Sequence, residues 1–160
     1  MLVNFEELPL SSRLWVYQAD RVLNTEEIAT IVEMTEKFLE NWAAHGAPLK
    51  SSYQVCYDMF LIIAVDEAFN TASGCSIDAS VGLIRAIQQA LDIDLMDRTK
   101  VCYQEGDRIV AIPMADIKSS IADGKLKSTT PTFNNLIQSV GDFENNWIIP
   151  AENSWIKRYF

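Results

Sequence analysis

Between Ser12 and Gln104 the apolar residues change period in the order strand, helix, strand, strand, helix, strand, and few folds accept that order. Ser12 to Ala19 alternates Leu14, Val16 and Gln18 against Arg13, Trp15 and Tyr17, as a pleated surface requires. Asn24 then offers an N-cap with Glu27 three residues on, a capping-box arrangement. Ile28, Ile31, Val32, Phe38, Leu39 and Trp42 recur at helical spacing, and Gly46 with Pro48 supplies the stop. Ser52 to Asp66 is rich in strand formers, but about fifteen residues is too long for one strand. That length predicts a hairpin turning near Asp58, although no Gly or Asn marks the turn. Gly74 and Ser76 open a second helix with Ile77, Val81, Ile84, Ile87 and Leu91 on one stripe. Thr99 to Tyr103 and Ile109 to Ile112 read as two strands joined by Gln104-Glu105-Gly106-Asp107.

Past this point the pattern weakens. Pro113 starts a third, shorter helix with Ile117 and Ile121, ended by Gly124, and Phe133 to Val140 reads as a helical turn or two. The tail from Trp147 to Phe160 is aromatic and aperiodic, and is expected to pack because it would otherwise expose a large apolar patch. The expected fold is therefore α+β, a ferredoxin-like βαββαβ core with an extra strand, a short helix and an irregular C-terminal segment. No repeat, low-complexity run or linker divides residues 1–160, which read as a single domain.

Charge narrows the function classes. Thirteen basic against twenty-two acidic residues give a net charge of −9, so the average surface repels phosphate backbones and anionic headgroups. Nucleic acid is not the expected partner. The longest strongly apolar run, Phe60 to Val65, falls far short of the roughly 20 residues that span a bilayer. The N-terminus lacks the basic start and apolar stretch of a signal peptide, and Cys56, Cys75 and Cys102 have no zinc-like spacing. A soluble protein of the reducing cytoplasm, without metal or other cofactor, fits these features. None of the six glycines falls in GxxxxGK[ST] or GxGxxG spacing, which excludes a nucleotide-hydrolysing phosphate loop.

The most suggestive local constellation is Ser73-Gly74-Cys75-Ser76-Ile77-Asp78 at the start of the second helix. Free N–H groups and the helix dipole there can bind an anion or activate a thiol. The competing reading has Ser73 or Ser76 as an N-cap, Gly74 relieving a tight turn and Cys75 filling a gap, with Asp78 in the first turn compensating the dipole. His45 is placed at a helix end, where its cation would be favoured, and is the only histidine that could serve Cys75 or Ser76 as a base. Asp66-Glu67 ends the apolar strand, a position from which carboxylates meet metals or substrates, though solvated acids are commoner there. Arg13, Trp15, Tyr17 and Arg21 could form a basic aromatic sheet face, but the strand near Tyr57-Asp58-Met59-Phe60 lacks the signature of an RNA reader.

Several stretches taken together carry a family likeness: Ser12 to Gln18, His45-Gly46, Ser52-Tyr53, Gly74 to Val81, Asp97-Arg98, Phe133 to Leu136, and Ser154-Trp155. On these the chain resembles an uncharacterised family of short Bacteroidetes-type bacterial proteins that often bear the label "ABC transporter ATPase". The resemblance implies no activity, substrate or catalytic residue, and the missing phosphate loop contradicts the label. These features together favour a non-catalytic small-molecule or protein-interaction domain. The alternative is a small enzyme centred on Cys75, Ser76 and His45. An open sheet of this kind leaves edge strands that need covering, which predicts a homodimer.

Overall fold

The computed structural model describes residues 1–160. Local signals set the first helix, α1 (Thr25–Glu40): the Glu27 N–H donates to Asn24 Oδ1 at 2.8 Å, and the Asn24 N–H donates to Glu27 Oε1 at 3.0 Å. The helix stops at Glu40, short of the expected end, and Trp42 lies beyond it. The chain then makes a small hairpin of β2 (Ala43–Ala44) and β3 (Ala47–Pro48). His45 and Gly46 form its two-residue turn with φ of 51° and 78°. Gly46 thus turns a hairpin instead of ending a helix, and His45 is exposed at that turn, not at a helix terminus.

The expected hairpin at Asp58 is present. β4 (Ser51–Cys56) and β5 (Phe60–Val65) pair antiparallel, and Tyr57 and Asp58 both take φ of 54°. A bulky residue adopts that left-handed region only where its surroundings hold it there. Here the Tyr57 ring lies 5.5 Å from Phe133 and 6.0 Å from Trp147, and the Leu23 N–H donates to the Asp58 carbonyl at 2.8 Å.

β5 is the centre of a three-stranded antiparallel sheet ordered β1-β5-β4, with β1 spanning Arg13–Gln18. All six residues of β5 are buried, because both faces of the sheet are covered. On one face lie α1 and α2 (Gly74–Leu91): the Trp15 ring packs 6.3 Å from Trp42, and the Tyr53 hydroxyl donates to Glu36 at 2.6 Å. On the other face lies a second sheet, whose Phe133 packs 4.7 Å from Phe60, while Trp147, just before that sheet's last strand, meets Phe60 edge-on at 5.0 Å.

That second sheet is where the structure departs from a ferredoxin-like fold. Its strands are β6 (Lys100–Glu105), β7 (Arg108–Pro113), β8 (Pro131–Phe133) and β9 (Ile148–Pro150), in the order β7-β6-β8-β9. The first three long strands do take the antiparallel arrangement that the split βαβ pattern requires. The fourth, β6, does not return to the outer edge of β1; it pairs with β7 and β8. The beginning of that edge is taken by the chain at Gln138 to Val140, which bridges Arg13 through Ser139. The result is α+β with two larger sheets and the small β2–β3 hairpin, not a simple βαββαβ.

The same partnership accounts for smaller corrections. The β6–β7 turn is only Gly106-Asp107, and Pro113 ends β7, so the short helix α3 begins at Ile117 and runs to Ala122. Phe133 closes a strand, and residues 134–139 are irregular before α4 (Val140–Asn146). In the tail, Trp147 and Ile156 are buried as expected, while Trp155 and Phe160 are exposed. No helix is long and apolar enough to cross a membrane.

Candidate functional site

The turn singled out in the sequence is a cap. Ser73 is the N-cap of α2: its hydroxyl accepts the Ser76 N–H at 3.1 Å, while Ser76 Oγ accepts the Ser73 N–H and donates to the Ser73 carbonyl, both at 2.8 Å. The Trp42 indole N–H donates to the Ser76 carbonyl at 2.8 Å and ties the cap to the segment after the first helix. The Ser76 hydroxyl is therefore buried and committed to local bonds, with none to His45. Cys75 is exposed and does not fill a gap. Because the helix starts at Gly74, Asp78 is its fifth residue, past the first turn, and exposed. Asp66 is buried beside Lys50, at 3.8 Å, and its Oδ1 accepts the Ala68 N–H at 3.0 Å. No group of three or more His, Cys, Asp or Glu side chains converges in a way that could hold a metal ion.

The main concavity lies elsewhere. A cavity of about 970 Å³ runs along the outer edge of β1, where the first sheet faces the second. Its floor is Arg13 to Gln18; one wall is Ile77 and Val81 of α2 with the loop from Leu95 to Arg98. The other wall is the start of β6, Phe133 at the end of β8 and the irregular segment from Asn134 to Gln138, with Trp155 and Arg158 beside them. Side chains link the two sheets here. Gln18 Nε2 donates to the Lys100 carbonyl at 3.3 Å, Asn135 Nδ2 donates to Gln18 Oε1 at 2.8 Å, and the Trp147 indole donates to Asn135 Oδ1 at 3.1 Å. These bonds form one connected network from β1 to the second sheet.

The rim is unusually apolar for a surface. Met96, Met114, Leu136 and Trp155 all line the groove and are exposed, Leu136 by 73%, more than any other large hydrophobic residue. The charges are equally uneven. Arg13 is matched by Glu67 at 3.6 Å, and Lys100 Nζ donates to the Asp20 carbonyl at 3.1 Å. Asp97 accepts the Thr99 hydroxyl and N–H at 2.6 and 2.8 Å, which holds its carboxyl below the usual range. Arg98 and Arg158 belong to none of the ion pairs of the molecule. The Arg158 guanidinium is held over the rings of Trp155 and Tyr159, 5.6 and 5.1 Å from their centroids. Two cations without carboxylate partners thus flank a groove on a chain of net charge −9.

Deeper in, burial raises the Tyr17 phenol above its ordinary value against the opposing pull of Ser80 and Arg98, and pushes the Cys102 thiol up to about 12. Both stay protonated at neutral pH.

Of the residues picked from the sequence, only Glu67 and the aromatic face of β1 reach this site. Arg13, Trp15 and Tyr17 do share a face, but it is covered by helices, and Arg21 is paired with Glu27 at 2.6 Å. They line the groove only where the sheet ends. Arg98, Asn135, Leu136, Trp155 and Arg158 escape a reading of the sequence as site residues, because each stands alone in a loop or a tail until the fold brings it to β1. No family model, curated protein or solved structure matches the chain.

Proposed function

We infer that this protein is a non-catalytic binding domain whose site is the groove along β1, and that its ligand is anionic with an apolar body. The carrying observation is the pairing of two uncompensated arginines, Arg98 and Arg158, with an exposed apolar rim in one cavity. Such a groove orients a ligand by charge and retains it by apolar contact. The absence of a phosphate loop supports a protein that does not hydrolyse ATP, whatever label the resembling family bears. Three free thiols support a reducing cytoplasm as its place of work.

The probe that tests this is 8-anilinonaphthalene-1-sulfonate, an anion with an aromatic body. Titration into the native protein should give saturable binding that weakens with salt, with amide shifts confined to β1, Arg98 and the segment 133–138. The Arg98→Ala/Arg158→Ala double variant should bind roughly tenfold more weakly, the scale of one charge-assisted contact. Shifts that cluster at α2 residues 73–78 instead would move the site back to the cap and its exposed thiol.

A further inference from the structure

The floor of the groove decides what shape of ligand it accepts. β1 pairs with β5 from Arg13 opposite Val65 to Gln18 opposite Phe60, and the Ala19 N–H donates to the Met59 carbonyl at 2.7 Å. Main-chain groups alternate sides along a strand, so odd-numbered residues of β1 turn theirs toward β5. Leu14, Val16 and Gln18 turn theirs into the groove. The Leu14 N–H bears this out, donating away from β5 to the Gln138 carbonyl at 3.0 Å. Flanking the strand, the Val140 N–H donates to the Ser12 carbonyl at 3.0 Å and the Asp20 N–H donates to the Asp94 carbonyl at 3.1 Å. Both main-chain groups of Val16, the Leu14 carbonyl and the Gln18 N–H have no partner within the chain, and Val16 is partly exposed.

A row of donors and acceptors at strand spacing is complementary to one kind of molecule, another extended peptide. On the reading of the groove as a ligand site, we propose that its ligand is a short acidic segment of a partner protein, which adds to β1 as a further strand and exchanges both main-chain bonds with Val16. From Leu14 to Gln18 a strand advances about 13 Å, enough to pair with roughly three to five residues. Alternate side chains of the added strand face opposite walls, Ile77 and Val81 of α2 on one side and the second sheet with Leu136 on the other. Those walls favour apolar residues. Arg98 and Arg158 supply the charge complement for carboxylates at the ends of the added segment.

The test uses acetylated pentapeptides with Val, Ile or Leu at the three central positions and Glu or Asp at both ends, titrated into the full-length protein labelled with ¹⁵N. Members of this set should bind saturably and shift the Val16 and Gln18 amides. The best binder is then resynthesised with N-methyl groups on alternate residues, in two versions. One version, which removes the N–H groups facing β1, should bind at least tenfold more weakly; the other should bind nearly as well as the parent. Equal affinity of the two versions would overturn strand addition. Failure of every pentapeptide to shift Val16, with the anilinonaphthalene sulfonate still bound at Arg98 and Arg158, would refute the peptide ligand and leave the anion groove standing. Failure of both probes would overturn the groove itself.

Discussion

β5 and β1 lie side by side in one sheet and are both six residues long, yet they use their main chains differently. β5 is paired along both edges and buried on both faces, so its backbone polar groups are taken up by its neighbours and every side chain is core. β1 is paired fully on one edge only, and its other edge opens into a groove after a short bridge at Ser139. The contrast teaches where this fold keeps its stability and where it keeps its binding capacity. A strand closed on all sides can do nothing but hold the structure together, whereas a strand with one open edge retains directional groups that another molecule can use.

The largest effect should come from the closed strand. Phe60 is fully buried among Phe133 and Trp147, and Phe60→Ala should cost about 3–5 kcal/mol in chemical denaturation, while Val16→Thr on the open strand should cost less than about 1 kcal/mol. Comparable losses at the two positions would break the comparison. Next in size is the cap of α2, where Ser73→Ala removes a side-chain acceptor and should cost about 1 kcal/mol. It should leave probe binding in the groove unchanged; weakened binding would mean that cap and groove act together.

A third effect depends on pH. The Arg21 guanidinium and the Asn24 N–H hold the Glu27 carboxyl at about 2, against an ordinary value of 4.5. A carboxyl depressed by folding stabilises the native state above its unfolded value and loses that contribution as pH falls through its folded one. Denaturation midpoints should therefore fall between pH 4.5 and about 2, and Glu27→Gln should flatten that part of the profile. An unchanged slope in the variant would assign the acid sensitivity to other carboxyls. The smallest stability effect is expected at the groove: Arg98→Ala and Arg158→Ala should each lie within about 0.5 kcal/mol of the parent, because neither side chain forms an ion pair with another element. A larger loss would make them structural and remove the charge argument for an anionic ligand.

How much of the molecule is legible in its sequence depends on the range of the interactions. α1 and its capping box can be read because Asn24 and Glu27 satisfy each other across three residues. The hairpin at Tyr57-Asp58 can be read from strand length but not from turn chemistry, since the Tyr57 ring is held by Phe133 and Trp147, far along the chain. Phe133 to Val140 looks helical in isolation because β8 is only three residues long and finds its partners in β6 and β9. The ferredoxin-like sheet fails for a similar reason: the order of elements through β6 is as expected, but the choice of partner for β6 is not written in any local pattern. The site is hidden most completely. Arg98, Leu136 and Arg158 carry no motif, and the absence of a fourth strand beside Val16 is a property of the sheet, not of the residue.

The open edge of β1 can be measured directly by native-state hydrogen exchange along the strand. The Trp15 and Tyr17 amides, turned toward β5, should exchange as slowly as those of β5 itself, whereas the Val16 amide between them should exchange at least roughly a hundredfold faster. Equal protection of all three would show that Val16 is already bonded, that β1 has no free edge, and that the groove is not a place where a strand can add.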